Sequence, residues 1–234
     1  MKSSNNKVPK HLGLVLDGNR RFAKRLMLKP WLGHEWGAKK TEKLFGWCKE
    51  YGIKELTLYT LSLENFNRPK REFNYLMDLF KKEFSRFEKD HRLKEIKVNF
   101  IGRLWMFPKD IQKIMYNIMN KTKKNKDFIL NFAMAYSGRA EVIDAIKKLA
   151  KQIKNDEVDI DKINEDIFKN YLYLKSEPDL IIRTGGENRT SNFLIWQSHY
   201  SEWIFLDVLW PEFSKKDFIT CLNDYAARER RFGR

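Results

Sequence analysis

At 234 residues and 42% hydrophobic content the chain suits one domain with a sizeable core, and its 17 phenylalanines exclude a disordered polar polymer. Lys and Arg number 46 against 31 Asp and Glu, so the formal charge is +15. That balance favours anionic partners, whether phosphorylated metabolites, acidic lipid or nucleic acid, and it does not choose among them.

Residues 1–10 read as a polar tail without a signal-peptide core. The apolar run 12–16 predicts a short buried strand, ended by Asp17-Gly18. Leu44, Trp47, Cys48 and Tyr51 then recur at helical spacing, with Gly52 as a C-terminal stop. Residues 56–61 predict a second strand, followed by the polar stretch 62–69. Phe73, Leu76, Met77, Phe80, Phe84 and Phe87 mark a long helix, and residues 96–101 alternate as a strand. Pro108 suits the first turn of a helix whose stripe is Ile111, Ile114, Met115, Ile118 and Met119. A strand at 129–135 precedes a helix through Val142, Ile143, Ile146, Leu149 and Ile153, then a shorter one through Ile163, Ile167 and Tyr171. Residues 180–182, 193–196 and 203–206 read as late strands. Ser214 and Asp217 offer a capping box for a last helix through Phe218, Leu222 and Tyr225. The alternation predicts a single α/β domain over residues 1–234, with a mostly parallel central sheet flanked by helices.

In such sheets ligands bind beyond the carboxyl ends of the strands. Asp17, the stretch 62–68, residues 136–139 and the stretch 183–191 all fall just past predicted strand ends, so four polar segments should share one rim. In the first, Gly18 permits a tight turn, and Arg20 and Arg21 with nearby N–H groups could cradle a diphosphate. A carboxylate among phosphates calls for a cation such as Mg2+ between them. Taken alone, an Asp-Gly turn flanked by surface arginines explains the same residues equally well. In the last segment Arg183, Arg189 and Ser191 supply phosphate donors, and Gly185 and Gly186 allow close backbone approach. The stretch 62–69, SLENFNRP, packs amides, a carboxylate and an arginine into one loop, which by itself reads as an Asx-turn. His34, beside Gly33 at a helix start, is the histidine placed to meet phosphate, although a structural role fits its spacing as well. The phenylalanine stripe 73–87 reads first as core; the sharper reading is the wall of an apolar tunnel.

Other signals are missing. Cys48 and Cys221 lack metal-ligand spacing and read as reduced thiols of a cytoplasmic protein. No apolar run approaches the roughly 18 residues of a membrane span, leaving at most a peripheral membrane contact. There is no GxxxxGK[ST], GxGxxG or DDxxD pattern, and no nucleic-acid motif, so nucleic acid is not expected as a partner.

Together these residues resemble the cis-prenyltransferase family, the undecaprenyl and dehydrodolichyl diphosphate synthases. The resemblance spans nearly the whole chain, and its most specific blocks are SLENFNRP at 62–69, DLIIRTGGENRTSNFLIWQ at 179–197 and DVLWP at 207–211. It implies that Asp17 binds Mg2+ on the allylic diphosphate and that Glu202 completes the metal site. Gly18, Asn19, Arg20, Arg21, Phe22 and His34 would hold the allylic diphosphate; Arg183, Arg189, Thr190 and Ser191 would hold isopentenyl diphosphate. Asn65 matches the asparagine assigned to proton removal, with Ser62, Leu63, Glu64, Phe66 and Arg68 around it. An amide is a poor base, so Asn65 is expected to position substrate while diphosphate or water takes the proton. Arg231 and Gly233 match a terminal R-x-G motif that in the family reaches the partner subunit, which implies an active homodimer. The implied reaction is repeated 1′-4 cis condensation on a farnesyl or geranylgeranyl primer, giving a long polyprenyl diphosphate for glycan assembly. Arg20 gives the DGNRR form seen in archaeal and eukaryotic members; Pro30 and Asn188 stand where an arginine and a histidine are frequent.

Overall fold

A computed structural model describes residues 7–228. Its centre is a six-stranded sheet in the order β3-β4-β2-β1-β5-β6, every neighbouring pair parallel. The strands are β1 (His11–Val15), β2 (Glu55–Ser62), β3 (Ile96–Ile101), β4 (Phe128–Tyr136), β5 (Leu180–Arg183) and β6 (Glu202–Phe205). Leu12, Leu14, Leu56, Leu58, Leu130, Leu180 and Ile182 are all fully buried, which explains why these strands read as continuous apolar runs. Each such side chain contributes roughly 1.5–3 kcal/mol of burial.

The helices are α1 (Asn19–Arg25), α2 (Gly33–Glu50), α3 (Lys70–Phe87), α4 (Lys109–Thr122), α5 (Gly138–Lys154), α6 (Glu165–Phe168) and α7 (Lys215–Ala227). Pro69 stands immediately before α3, and Leu76, Met77, Phe80 and Phe84 turn its buried face to the sheet. Ser214 and Asp217 form the expected capping box of α7. The resulting main core joins α2, α3, α4 and α7 to one sheet face.

The expected parallel sheet is found, with every neighbouring pair parallel, and two finer expectations are corrected. Residues 193–196 are turns, not a strand: β5 already has β1 and β6 as neighbours, and Leu194 takes a left-handed φ of 47°. Phe193 is nonetheless fully buried, stacked on Tyr59 with ring centroids 4.7 Å apart. Burial alone produced the apolar signature there. On α5, Ile143 and Ile146 are exposed, while Ala145 and Leu149 face inward. Among the described residues no helix is long and apolar enough to cross a membrane.

The strand order decides where a ligand can sit. From β1 the chain moves to β2 on one side, and later returns to place β5 on the other. The crevice at that reversal lies beyond Val15 and Arg183, which are register partners.

Candidate active site

Asp17 follows β1 and Arg183 ends β5, so the crossover brings acid and guanidinium together at the switch point. Arg183 Nη2 donates to Asp17 Oδ2 at 2.9 Å, and Arg21 Nη2 donates to Oδ1 at 3.3 Å. The Arg183 side chain is only 4% exposed, yet it is held further by Ser191 Oγ at 2.7 Å and by the Arg189 carbonyl. Its Nε has no partner and is buried. A buried donor left idle beside a cavity is a place for an anionic acceptor.

The backbone around Asp17 is equally constrained. Thr184 Oγ1 and the Trp210 N–H both donate to the Asp17 carbonyl, at 2.8 and 2.9 Å. Gly185 has φ 93°, and a Cβ there would lie 2.6 Å from Arg21 Nη2 and 3.2 Å from the Asp17 Cβ. Its N–H and that of Gly186 are already bonded to the Val208 and Leu206 carbonyls. Gly185 therefore makes room for the Asp17–Arg21 pair, whereas a Cβ on Gly186 would meet Asp207, and the N–H groups of both already donate to backbone carbonyls.

On the opposite rim the stretch 62–69 is a tight 3-10 turn, Leu63–Asn67. Ser62 and Asn65 cap it reciprocally, with the Ser62 N–H donating to Asn65 Oδ1 at 3.3 Å. Ser62, Glu64, Asn65 and Arg68 line the cavity. Phe66 instead packs on Phe73 and Phe107, and Leu63 joins the core. Arg68 donates to Glu72 Oε1 at 2.9 Å, and Arg20 Nε lies 3.5 Å from the same oxygen. Arg68 Nη1 is also 3.4 Å from His34 Nε2. Enclosure, then the charges of Arg68 and Arg20, push the His34 pKa down to about 3, so the ring is neutral at neutral pH.

Of the remaining expected residues, Asn19, Arg189 and Ser191 line the cavity, whereas Phe22 packs on Trp36 and Thr190 is exposed. Gly18 adopts φ 111° with Leu209 close behind it, a conformation that an L side chain resists. Arg231 and Gly233 lie outside the described residues. Glu202 is not brought to Asp17. Leu12, Leu180 and Glu202 share one level of the sheet, and from Leu12 to Val15, the end of β1, the chain already climbs about 10 Å at ~3.3 Å per residue before reaching Asp17. Glu202 instead pairs with Arg228 at 2.8 Å, so one chain does not assemble the two-carboxylate metal site.

The cavity itself measures about 700 Å3. It runs from the Asp17–Arg183–Arg68 rim to an apolar interior between α2, α3 and the sheet, walled by Phe45, Leu58, Leu76, Phe80, Phe84 and Phe132. The phenylalanine stripe is thus both core and lining. Sequence reasoning missed Glu72, which is 2% exposed and braces two rim arginines. Its signal was available, since Glu72 stands four residues after Arg68 on the turn leading into a helix.

Comparison with known proteins accounts for this combination. The family model described as undecaprenyl diphosphate synthase matches residues 15–233. The chain belongs to the cis-prenyltransferase family. It is 44% identical over 237 residues to a tritrans,polycis-undecaprenyl-diphosphate synthase (geranylgeranyl-diphosphate specific) of Methanopyrus kandleri, covering 100% of this chain and 88% of that one. An isoprenyl transferase of Thermus thermophilus is 46% identical over 236 residues, with 97% and 89% covered. The crystal structure of lavandulyl diphosphate synthase from Lavandula x intermedia, in complex with dimethylallyl diphosphate, superposes with a TM-score of 0.90 at 30% identity, covering 97% of this chain and 99% of that one. The fold is therefore that of the cis-prenyltransferases, and the chain is a prenyltransferase of the cis type.

Proposed function

We propose that the protein condenses isopentenyl diphosphate repeatedly, 1′-4 and cis, onto an allylic diphosphate primer to make a long polyprenyl diphosphate for glycosyl carrier lipid. The observation that carries this reading is one continuous cavity with a guanidinium-rich rim and an apolar depth. The names of the archaeal relatives favour geranylgeranyl diphosphate over farnesyl diphosphate as primer.

Arg183, Arg189 and Ser191, all of which line the cavity, would bind isopentenyl diphosphate. Arg20, Arg21, Arg68 and His34 would hold the primer's diphosphate and oppose the negative charge that grows on it as the C–O bond breaks. Asn65, its carbonyl engaged by Ser62, keeps its NH2 to orient substrate while a diphosphate oxygen accepts the proton. The surrounding hydrocarbon excludes water from the cation-like allylic carbon.

Mg2+ fits the rim: it is usually held by one or two carboxylates together with substrate phosphates, and Asp17 is a half-exposed carboxylate there. When bound it would neutralise charge on the departing diphosphate. A homodimer is supported by the exposed Ile143 and Ile146 of α5, an apolar pair that a second copy would cover. Peripheral membrane contact during release follows from the product's own insolubility in water.

A second reading, short-chain or branching condensation, is favoured by the close superposition with lavandulyl diphosphate synthase. The depth of the cavity argues for chain elongation. Labelled isopentenyl diphosphate, offered with primers from dimethylallyl to geranylgeranyl diphosphate with and without Mg2+, decides between them by product length. Only unit-length or branched products would reject the long-chain reading.

A further inference from the structure

Residues 136–139 follow a strand end just as the three rim segments do, yet none of them lines the cavity. The last three instead grip the turn that carries Ser191. The Gly138 N–H donates to the Asn192 carbonyl at 2.8 Å, and the Arg139 N–H donates to Asn192 Oδ1 at 3.0 Å. Asn192 Nδ2 donates in turn to Ser137 Oγ at 2.6 Å, while that hydroxyl accepts from the Ala140 N–H. The opening N–H groups of α5 are thus satisfied by Asn192 and by the helix's own cap. A Cβ on Gly138 would lie 2.9 Å from the Asn192 carbonyl oxygen and 2.7 Å from Ile195 Cγ1, so only glycine permits this approach.

The turn needs holding. Ser191, Asn192 and Leu194 have φ of 49°, 64° and 47°, and Ala135, just before the opposing segment, has φ 46°. These are four of the six left-handed non-glycine residues among the described residues. Asparagine tolerates that conformation; serine and leucine resist it, and it persists only where the surroundings impose it. Asn192 supplies the side-chain clamp, and the Tyr59 hydroxyl, 3.3 Å from the Ser191 carbonyl and 3.4 Å from that of Tyr136, adds a weaker tie.

Resting on the reading of Arg183, Arg189 and Ser191 as the isopentenyl diphosphate site, we propose that Asn192 is its positioning residue, pinning the left-handed turn to the start of α5. Arg183 Nη1 is held by Ser191 Oγ and by the Arg189 carbonyl, both on this turn or beside it. Once the clamp is released, Ser191 relaxes toward ordinary backbone and withdraws its hydroxyl, leaving Arg183 to its ion pair with Asp17. Isopentenyl diphosphate then loses its aligned donors. The groups assigned to the primer, on α1, α2 and the 62–69 turn, are not attached to this clamp.

The test uses the full-length protein with Mg2+, labelled isopentenyl diphosphate and geranylgeranyl diphosphate, each varied in turn in initial-rate measurements well below the melting temperature. Asn192→Gly keeps the backbone conformation accessible and deletes the clamp. It should raise the KM for isopentenyl diphosphate about tenfold, with the primer's KM changed less than about twofold and kcat changed less than the first KM. Ser137→Ala removes one clamp partner from outside the cavity and should raise the same KM by about two- to fourfold. Ser214→Ala strips the cap of α7, a comparable loss of stability, and should leave both KM values unchanged. A wild-type KM for isopentenyl diphosphate in Asn192→Gly, or an equal rise for both substrates, overturns the proposal. So does a shift in Asn192→Gly that Ser137→Ala lacks, because Asn192 would then touch substrate itself. Should Asn192→Gly not fold, Ser137→Ala decides alone. If the wild type incorporates no isopentenyl diphosphate with any primer, the functional reading falls and the clamp's role falls with it, an outcome distinct from the others.

Discussion

The rim and the shaft of this one cavity are built on opposite principles. At the rim, position is fixed by directional bonds: Arg183 is held by Asp17, Ser191 and a carbonyl, and Asp17 by two guanidiniums and two backbone anchors. In the shaft, Phe45, Phe80, Phe84 and Phe132 fix nothing by direction; any well-packed hydrocarbon surface would serve a prenyl chain. Damage to the rim should therefore cost rate with little loss of stability, and damage to the shaft should do the reverse.

The sharpest break comes at Asp17. Asp17→Asn keeps the shape while removing the charge that pairs with Arg183 and that would face Mg2+. We expect turnover to fall by about 10²–10³-fold, the scale of losing one electrostatic stabiliser in a catalytic site, with little change in melting temperature. Steady-state kinetics beside thermal unfolding checks both halves; a large loss of stability with turnover intact would invert the comparison.

Phe84→Ala tests the shaft. Phe84 is 5% exposed and touches Phe80, Phe100 and Phe132. Deleting the ring should cost about 3–5 kcal/mol and, at roughly 2–4 °C per kcal/mol for a domain of this size, lower the melting temperature by about 6–20 °C. Turnover at low temperature should persist, with product lengths altered.

Glu72 sits between the two regions, a rim brace rooted on the helix that forms the shaft. Glu72→Gln retains volume and hydrogen bonding but releases Arg20 and Arg68, both of which can turn toward water. The expected result is a KM for the primer raised about tenfold, near 1.4 kcal/mol, with kcat changed less. Equal loss in kcat and kcat/KM would move Glu72 from positioning the primer to stabilising the transition state.

The same contrast explains what could be read from the residues beforehand. Strands such as His11–Val15 and Leu180–Arg183 announce themselves because burial on both faces demands unbroken apolar runs. The rim motifs announce themselves because polar residues crowd just past those runs. Residues 193–196 misled, since Phe193 is buried by stacking on Tyr59 without any ladder partner. Glu202 misled differently: its distance from Asp17 depends on the register of β6 against β5, which a linear motif does not carry. Nor does a linear motif show that Ser137 and Asn192 meet, because their segments are joined only through the fold.

The smallest effect expected concerns His34, a rim residue whose pKa is lowered chiefly by enclosure. Folded, its pKa is pushed down to about 3; unfolded, it returns to the ordinary value of 6.5. Below pH 6.5 the unfolded chain binds a proton that the folded chain refuses, so stability falls as pH drops from 6.5 toward 3 and is unaffected above that window. The ring opens onto the cavity, where water screens it, so the slope should stay below about 1 kcal/mol per pH unit. Urea unfolding of the wild type and of His34→Asn at pH 7.5, 6 and 5 isolates the contribution. The difference between the two proteins should shift in favour of the variant as pH falls; a difference constant across that range would mean that His34 is already open to protons in the fold, and that the rim is wetter than the shaft to which it leads.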